Sequence, residues 1–368
     1  MRQRLNRGKY KELGAGILRY NVWSFIKPVR PNSLVINLTY RCNSRCIMCN
    51  IWQMKPSVEM KVDDWIKVLS DQFFGKVRNL TITGGEVTLY PQMGQTVTKI
   101  AGCLPNLERL VINTNGFLPK VIFEETKIIA KYCQKKRIRF RVSISVDGIG
   151  KDHEKIRGRT NIFKKVEETI SGLKELGLKH EFTLGISSLL LRNNLEKYQG
   201  FKEWLIKQGV DYSFQLVGFH DVFVNNKNSE NKIGFGNKDL KLLEILDDLA
   251  KGHQWKDLMN YYWKDMKAMY QQTRRRTTPC PFLKDEIVID CLGDVYYCLS
   301  VKPIGNIFKE KKTVEVIYFD PMNINFRKNL WKKTCGGCNS GCDAYQAIAY
   351  DFKKYLWYKL TGRLWRFN

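Results

Sequence analysis

The stretch Asn37-Leu38-Thr39-Tyr40-Arg41-Cys42-Asn43-Ser44-Arg45-Cys46-Ile47-Met48-Cys49-Asn50-Ile51-Trp52 decides the reading of this chain. It directly follows a short, apolar, β-rich run, Leu34–Leu38. Its cysteines follow the spacing C-x3-C-x2-C. Three thiolates on one short loop can hold three irons of a four-iron cube. No fourth cysteine is nearby, so one iron stays open to an outside ligand. A zinc site borrowing a distant ligand is the alternative, but structural zinc prefers paired C-x2-C knuckles.

Outward from that loop, apolar β-rich runs recur at Leu80–Thr83, Leu110–Asn113, Phe140–Val146, Phe182–Ile186 and Tyr212–Val217. Helically spaced segments lie between them. Asp63–Phe73 is one; Phe163–Leu176 is another, with Phe163, Val166, Ile170 and Leu173 on one face. Strands alternating with helices predict an α/β fold with a parallel sheet and crossover helices. In such sheets the chemistry sits at the carboxyl ends of the strands. The motifs Thr83-Gly84-Gly85-Glu86 and Thr114-Asn115-Gly116 fall there, as do Ser143-Ile144-Ser145-Val146-Asp147-Gly148 and then His153 and Arg157-Gly158. Two glycines allow close backbone approach, and a carboxylate such as Glu86 can pair with an ammonium group.

Composition agrees. Of 368 residues, 43% are hydrophobic and 12% aromatic, enough for a core and against general disorder. No apolar run approaches the roughly 18 residues of a spanning helix. Met1-Arg2-Gln3-Arg4 is not followed by the apolar core of a secretory signal, so a cytoplasmic place is expected. There, clustered cysteines mean metal or redox chemistry rather than disulfides. The chain has 11 Cys but only 4 His. Cys280, Cys291, Cys298, Cys335, Cys338 and Cys342 form a second, late group, and Cys103 and Cys133 stand alone. Two metal centres separated by a metal-free body are expected.

The cysteine loop resembles that of the radical S-adenosylmethionine (radical SAM) superfamily. The resemblance implies a partial (β/α)6 TIM-like barrel over residues 33–218 and a 4Fe–4S cluster on Cys42, Cys46 and Cys49. The open iron would be chelated by the amino and carboxylate groups of SAM. Reductive cleavage of SAM would yield a 5′-deoxyadenosyl radical that takes hydrogen from substrate. It also implies SAM contacts by Gly84, Gly85, Glu86, Asn115, Ser145 and Arg157. Met48 stands where the family usually has an aromatic near the adenine, and Val87 where a proline is often seen. Asp147 and His220 are the candidates to act on substrate, with Asn193, Asn194 and Asp221 as lesser neighbours.

Ile287–Ile289, Leu292-Gly293-Asp294 and Val295–Tyr297 read as a β-hairpin with a glycine turn. Together with Cys335-Gly336-Gly337-Cys338-Asn339-Ser340-Gly341-Cys342 it resembles the C-terminal extension called SPASM, or its shorter relative twitch. Two fully thiolate-ligated clusters need more cysteines than the six present. One auxiliary 4Fe–4S cluster is therefore expected, and the likeness to the twitch arrangement implies Cys280, Cys298, Cys335 and Cys338 as its ligands. Cys291 and Cys342 are alternates, or ligands of a second, incomplete cluster. A zinc ribbon is the bland alternative. The resemblance thus divides the chain into an N-terminal basic amphipathic segment (1–32), the core (33–218), a helical linker (219–279), a small cysteine-rich α+β extension (280–342) and a C-terminal helix (343–368).

The net charge is +26. Both ends are basic and amphipathic, and Phe352, Leu356 and Leu360 recur at helical spacing. They could lie on an anionic membrane surface at its inner face, or pack on the barrel. No zinc-finger, RNP or helix-turn-helix pattern supports nucleic acid as a partner. The expected partners are a one-electron reductant such as a flavodoxin or ferredoxin, and a peptide or protein substrate. A membrane lipid or lipid-linked sugar is the rival substrate. A simple iron–sulfur electron-transfer protein is the non-enzyme alternative.

Overall fold

The computed structural model describes residues 13–23, 29–54, 58–236, 238–251, 258–272, 275–341 and 344–364. They belong to two compact units. A sheet unit comprises Arg30–Gly234 with Glu286–Asp320; a helical unit comprises Met1–Val29, Phe235–Asp285 and Pro321–Asn368.

Six strands of the sheet unit lie where the β-rich runs placed them: β1 Ser33–Asn37, β2 Asn79–Thr83, β3 Arg109–Thr114, β4 Arg139–Ser145, β5 Thr183–Leu190 and β6 Asp211–Leu216. The late hairpin adds β7 Glu286–Asp290, β8 Asp294–Tyr296 and β9 Gly305–Asn306. One nine-stranded sheet runs β6-β5-β4-β3-β2-β1-β7-β8-β9 and does not close. β1 through β7 pair parallel; β8 and β9 return antiparallel. The hairpin was expected in a separate extension. It joins the main sheet instead, because the β7 core of Ile287, Val288 and Ile289 is fully buried beside β1.

The crossovers are α1 Val62–Leu69, α2 Met93–Gly102, α3 Pro119–Lys136, α4 Lys151–Arg157, α5 Phe163–His180 and α6 Tyr198–Gln208. They cover one face, carrying Leu34, Ile36, Leu80, Ile82, Leu110 and Ile112. α1 starts where the Lys61 N–H donates to Asp64 Oδ2, and α3 has Pro119 in its first turn. α5 buries Phe163, Val166, Ile170 and Leu173, the face its spacing predicted. The opposite sheet face is polar at its carboxyl end. Asn37 sits in register with Thr83 and Asp290, Asn113 with Ser143, and Ser145 with Ser187.

In the helical unit, α7 Leu240–Lys251 and α8 Leu258–Gln272 pack around Leu242, Leu246, Tyr261, Tyr262, Trp263 and Met266. α9 Pro321–Lys333, α10 Ala344–Tyr350 and α11 Phe352–Thr361 complete it. α11 buries Tyr358, whose hydroxyl donates to Asn260 Oδ1, and leaves Phe352, Leu356 and Leu360 exposed. Among the described residues no helix is long and apolar enough to cross a membrane. The segment 280–342 is divided: Cys280, Cys335 and Cys338 belong to the helical unit, Cys291 and Cys298 to the sheet unit.

Candidate metal centre and cofactor site

The loop after β1 is pinned from two sides. From β2, the Gly85 N–H donates to Thr39 O and the Glu86 N–H to Arg41 O. A Cβ on Gly84 would stand 2.4 Å from Thr39 O, and one on Gly85 2.2 Å from Arg41 O. The two glycines are needed for contact with the loop itself, a nearer partner than the bound ligand that motif reading suggested. From α4, the last carbonyls are spent on the loop. Arg157 O accepts from Arg45 N–H and Ser44 Oγ, and Ile156 O from Ile47 N–H, all at 2.9 Å. Gly158 then turns the chain at φ +62°.

The three thiols of this loop are half-buried. The Ser44 N–H donates to Cys42 Sγ at 3.4 Å, and Ser44 Oγ lies 3.0 Å from Cys46 Sγ. Burial pushes the Cys42 thiol up to about 11 and the Cys49 thiol up to about 12. A metal that binds them must displace their protons. Among the described residues no three His, Cys, Asp or Glu side chains close on a single metal ion. An all-thiolate donor set on a loop held open in this way fits an iron–sulfur cube, whose sulfurs stand farther apart than those around one zinc ion.

Glu86 is buried. Its Oε1 accepts from the hydroxyls of Thr88 and Thr114, and its Oε2 from the Asn115 N–H alone. Burial raises its pKa, and these donors oppose the rise. Asn115 Nδ2 donates to Asn43 Oδ1 on the cluster loop. Arg157 is 8% exposed. Its Nη2 meets Asp147 Oδ2 at 2.7 Å, its Nη1 meets Cys46 Sγ at 3.8 Å, and its buried Nε has no partner. That orphaned donor fits an incoming carboxylate. Ser145 ends β4 half-buried on the polar face.

Asp147, expected as a candidate to act on substrate, is fully buried and paired with Arg157. Its Oδ1 also accepts from the Leu189 N–H. It is a counter-ion, with no access for a substrate proton. Asn194 supports it, donating from Nδ2 to Asp147 O. His220 Nε2 lies 3.0 Å from Ser300 Oγ, and burial lowers its pKa. Asp221 is exposed.

Two further residues hold the loop and gave no sequence signal. Glu59 accepts from the Tyr40 N–H and the Thr39 hydroxyl. Buried Asn226 donates from Nδ2 to Met48 O. Each works through tertiary hydrogen bonds, which spacing does not encode.

Of the late cysteines, Cys298 accepts from the Ser300 N–H, and Cys338 from the Ser340 N–H, both at 3.4 Å. This repeats the Cys42–Ser44 turn. Burial and the neighbouring Cys338 push the Cys335 thiol up to about 11. Buried Arg276 donates to Cys338 O and Ser340 O, and its N–H to Gly336 O, tying the Cys280 segment to the Cys335–Cys338 loop. Cys291 is fully buried and donates to Glu59 Oε1 at 3.6 Å. Cys342 lies outside the described residues.

The profile described as the radical SAM superfamily matches residues 36–205. The sporulation killing factor maturation protein SkfB of Bacillus subtilis (strain 168) is 28% identical over 149 residues, 40% of this chain and 34% of SkfB. The PqqA peptide cyclase of Methylorubrum extorquens (strain PA1) is 26% identical over 249 residues, 65% of this chain and 60% of the cyclase. The chain thus spans less than two thirds of either relative. In fold it is similar to Streptococcus suis SuiB, solved bound to S-adenosylmethionine. The TM-score is 0.57 at 18% identity, over 86% of this chain and 73% of SuiB. Residues 36–205, which match the radical SAM superfamily, hold the pinned cysteine loop, the Gly-Gly-Glu turn and the buried arginine, so the chain carries a radical SAM domain.

Proposed function

We propose that this chain reductively cleaves S-adenosylmethionine and takes a hydrogen atom from a carbon of a peptide substrate. The observation that carries the reading is the cysteine loop clamped between the Gly84-Gly85-Glu86 turn and the end of α4, with an unpaired Arg157 Nε beside it. A 4Fe–4S cluster held by Cys42, Cys46 and Cys49 would supply the electron for this cleavage and an open iron for SAM. The protein groups then divide the ligand. Glu86 Oε2, which accepts one hydrogen bond, has room for an N–H of the SAM amino group. Arg157 Nε takes a carboxylate oxygen. Asn115 and Ser145 are assigned to the remaining polar edge of SAM. The electron comes from a small reductant such as a flavodoxin or ferredoxin.

Three observations favour a peptide. PqqA peptide cyclase is named for one, SkfB is named as a maturation protein, and SuiB has been solved with its precursor peptide SuiA. The polar sheet face offers neutral donors and acceptors (Asn37, Thr83, Asn113, Ser143) suited to backbone amides. The lipid reading finds no support in these relatives. On sequence spacing we keep Cys280, Cys298, Cys335 and Cys338 for one auxiliary 4Fe–4S cluster; each within its own unit, Cys298 and Cys338 accept a backbone N–H, which favours a thiolate. Cys291 is left out, because its thiol is spent on Glu59.

The test is anaerobic reconstitution with iron, sulfide, reductant and SAM. Formation of 5′-deoxyadenosine is expected, and its loss in the Cys42→Ala/Cys46→Ala/Cys49→Ala variant. A fully reconstituted, reduced chain that yields none sinks the reading. Deuterium passing from a labelled peptide carbon into 5′-deoxyadenosine would establish the substrate class.

A further inference from the structure

The geometry points to a second task for Arg157: its guanidinium, held in place by Asp147, is a fixed positive charge on the Cys46 side of the cluster loop that raises the reduction potential of the cluster. Asp147 is then a positioning residue. The inference rests on the assignment of Cys42, Cys46 and Cys49 as cluster ligands.

Asp147 is immobilised on every polar atom. Its Oδ1 accepts from the Leu189 N–H at 2.8 Å, and its Oδ2 holds Arg157 Nη2 at 2.7 Å. Its carbonyl accepts from Asn194 Nδ2 at 3.0 Å, and its N–H donates to His153 Nδ1 at 3.2 Å. Arg157 is fixed at the other end by its own carbonyl, which takes the Ser44 hydroxyl and the Arg45 N–H. Between these anchors the fork has one orientation. Nη2 faces Asp147 and Nη1 faces Cys46 Sγ at 3.8 Å. An arginine keeps its proton in a protein, and the Asp147 carboxylate at 2.7 Å offsets the burial of its charge.

The pair is a buried dipole with its positive end toward the sulfur. Reduction adds one negative charge to a cluster already rich in thiolates. In a poorly screened interior, a positive charge near one thiolate stabilises the reduced state more than the oxidised one. Asp147 is held by Nη2 and Cys46 is faced by Nη1, so the carboxylate offsets the burial cost and cancels only part of the field at Cys46. Arg suits this role better than Lys, because one planar fork can serve the carboxylate and the sulfur together.

The experiment is an equilibrium redox titration of the reconstituted full chain, followed by electron paramagnetic resonance without SAM and preceded by an iron count. Arg157→Gln, which keeps side-chain hydrogen bonding but no charge, is expected to lower the potential of the Cys42/Cys46/Cys49 cluster. Arg157→Lys, which keeps the charge but loses the fork, should fall between it and the parent. Asp147→Asn should shift the potential more in the parent background than in the Arg157→Gln background, because most of its effect passes through the placement of Arg157. A structural role alone would change iron content and melting temperature and leave the potential of intact clusters where it was. Intact iron with an unchanged potential in both Arg157 variants overturns the inference. Iron absent from the parent's Cys42, Cys46 and Cys49 overturns the cluster assignment, and the inference with it.

Discussion

Cys42, Cys298 and Cys338 share a local device. Each is followed two residues later by a serine, Ser44, Ser300 or Ser340, whose backbone N–H donates to the sulfur at 3.4 Å. A donated hydrogen bond favours the thiolate, the form a metal needs. Cys46, Cys49, Cys280 and Cys335 lack a serine at that offset, as do Cys103, Cys133 and Cys291, so the turn is found at three of the seven assigned ligands. Backbone shape matters as much in the same loop. Gly158 sits at φ +62°, and a Cβ there would meet Arg45 O at 2.1 Å. Gly158→Ala should therefore cost at least about 1–3 kcal/mol through backbone strain alone. It should also loosen the cysteine loop, read as a lower urea midpoint and lost iron. His153 makes a pH prediction. Burial holds it down at about 2, so the folded chain keeps it neutral, while the unfolded chain protonates it below about pH 6.5. Protons bound only by the unfolded state make stability fall as pH drops through that value. His153→Gln keeps an acceptor for the Asp147 N–H. Between about pH 7 and 5 it should lose roughly 1–2 kcal/mol less stability than the parent in urea titrations.

At the scale of elements, the six βα units were legible because each strand is a short β-rich run, such as Leu80–Thr83, set between helically spaced segments such as Phe163–Leu176. The cysteine loop and the Gly84-Gly85-Glu86 turn were legible as motifs. What spacing does not encode is pairing over long sequence distances. Glu286–Asp290 looks like any hairpin strand, and only the folded chain shows it beside β1. Asp147 likewise offers a carboxylate in the sequence, and only packing reveals its guanidinium partner. Asp290 closes β7 by accepting from the Tyr40 and Tyr296 hydroxyls and from the Leu292 and Asp294 N–H groups. Asp290→Ala would strand four buried or half-buried donors. Unsatisfied groups cost about 1–3 kcal/mol each, and neighbours do not add fully. A loss of about 3 kcal/mol or more is expected from urea unfolding. A loss under about 1 kcal/mol would mean that β7 is not held by this carboxylate.

For the molecule as a whole, the charge of +26 and the cysteine count separate into different questions. The exposed stripe of Phe352, Leu356 and Leu360 lies on a helix whose other face packs through Tyr358. Leu356→Glu with Leu360→Glu should thus leave stability within about 0.5 kcal/mol of the parent. The cysteines make the sharper test. The sheet unit carries Cys42, Cys46, Cys49, Cys291 and Cys298; the helical unit carries Cys280, Cys335 and Cys338. With one cluster on the first three and one on Cys280, Cys298, Cys335 and Cys338, the reconstituted chain should hold about eight irons. Replacing Cys42, Cys46 and Cys49 by Ala should leave about four, and so should the Cys298→Ala/Cys338→Ala pair, which leaves only two thiolates. Cys291→Ala should leave about eight, because that thiol already donates to Glu59. If Cys291→Ala lost four irons and the Cys298→Ala/Cys338→Ala pair none, the donor turns at Ser300 and Ser340 would not mark ligands, and the auxiliary assignment would fall with them.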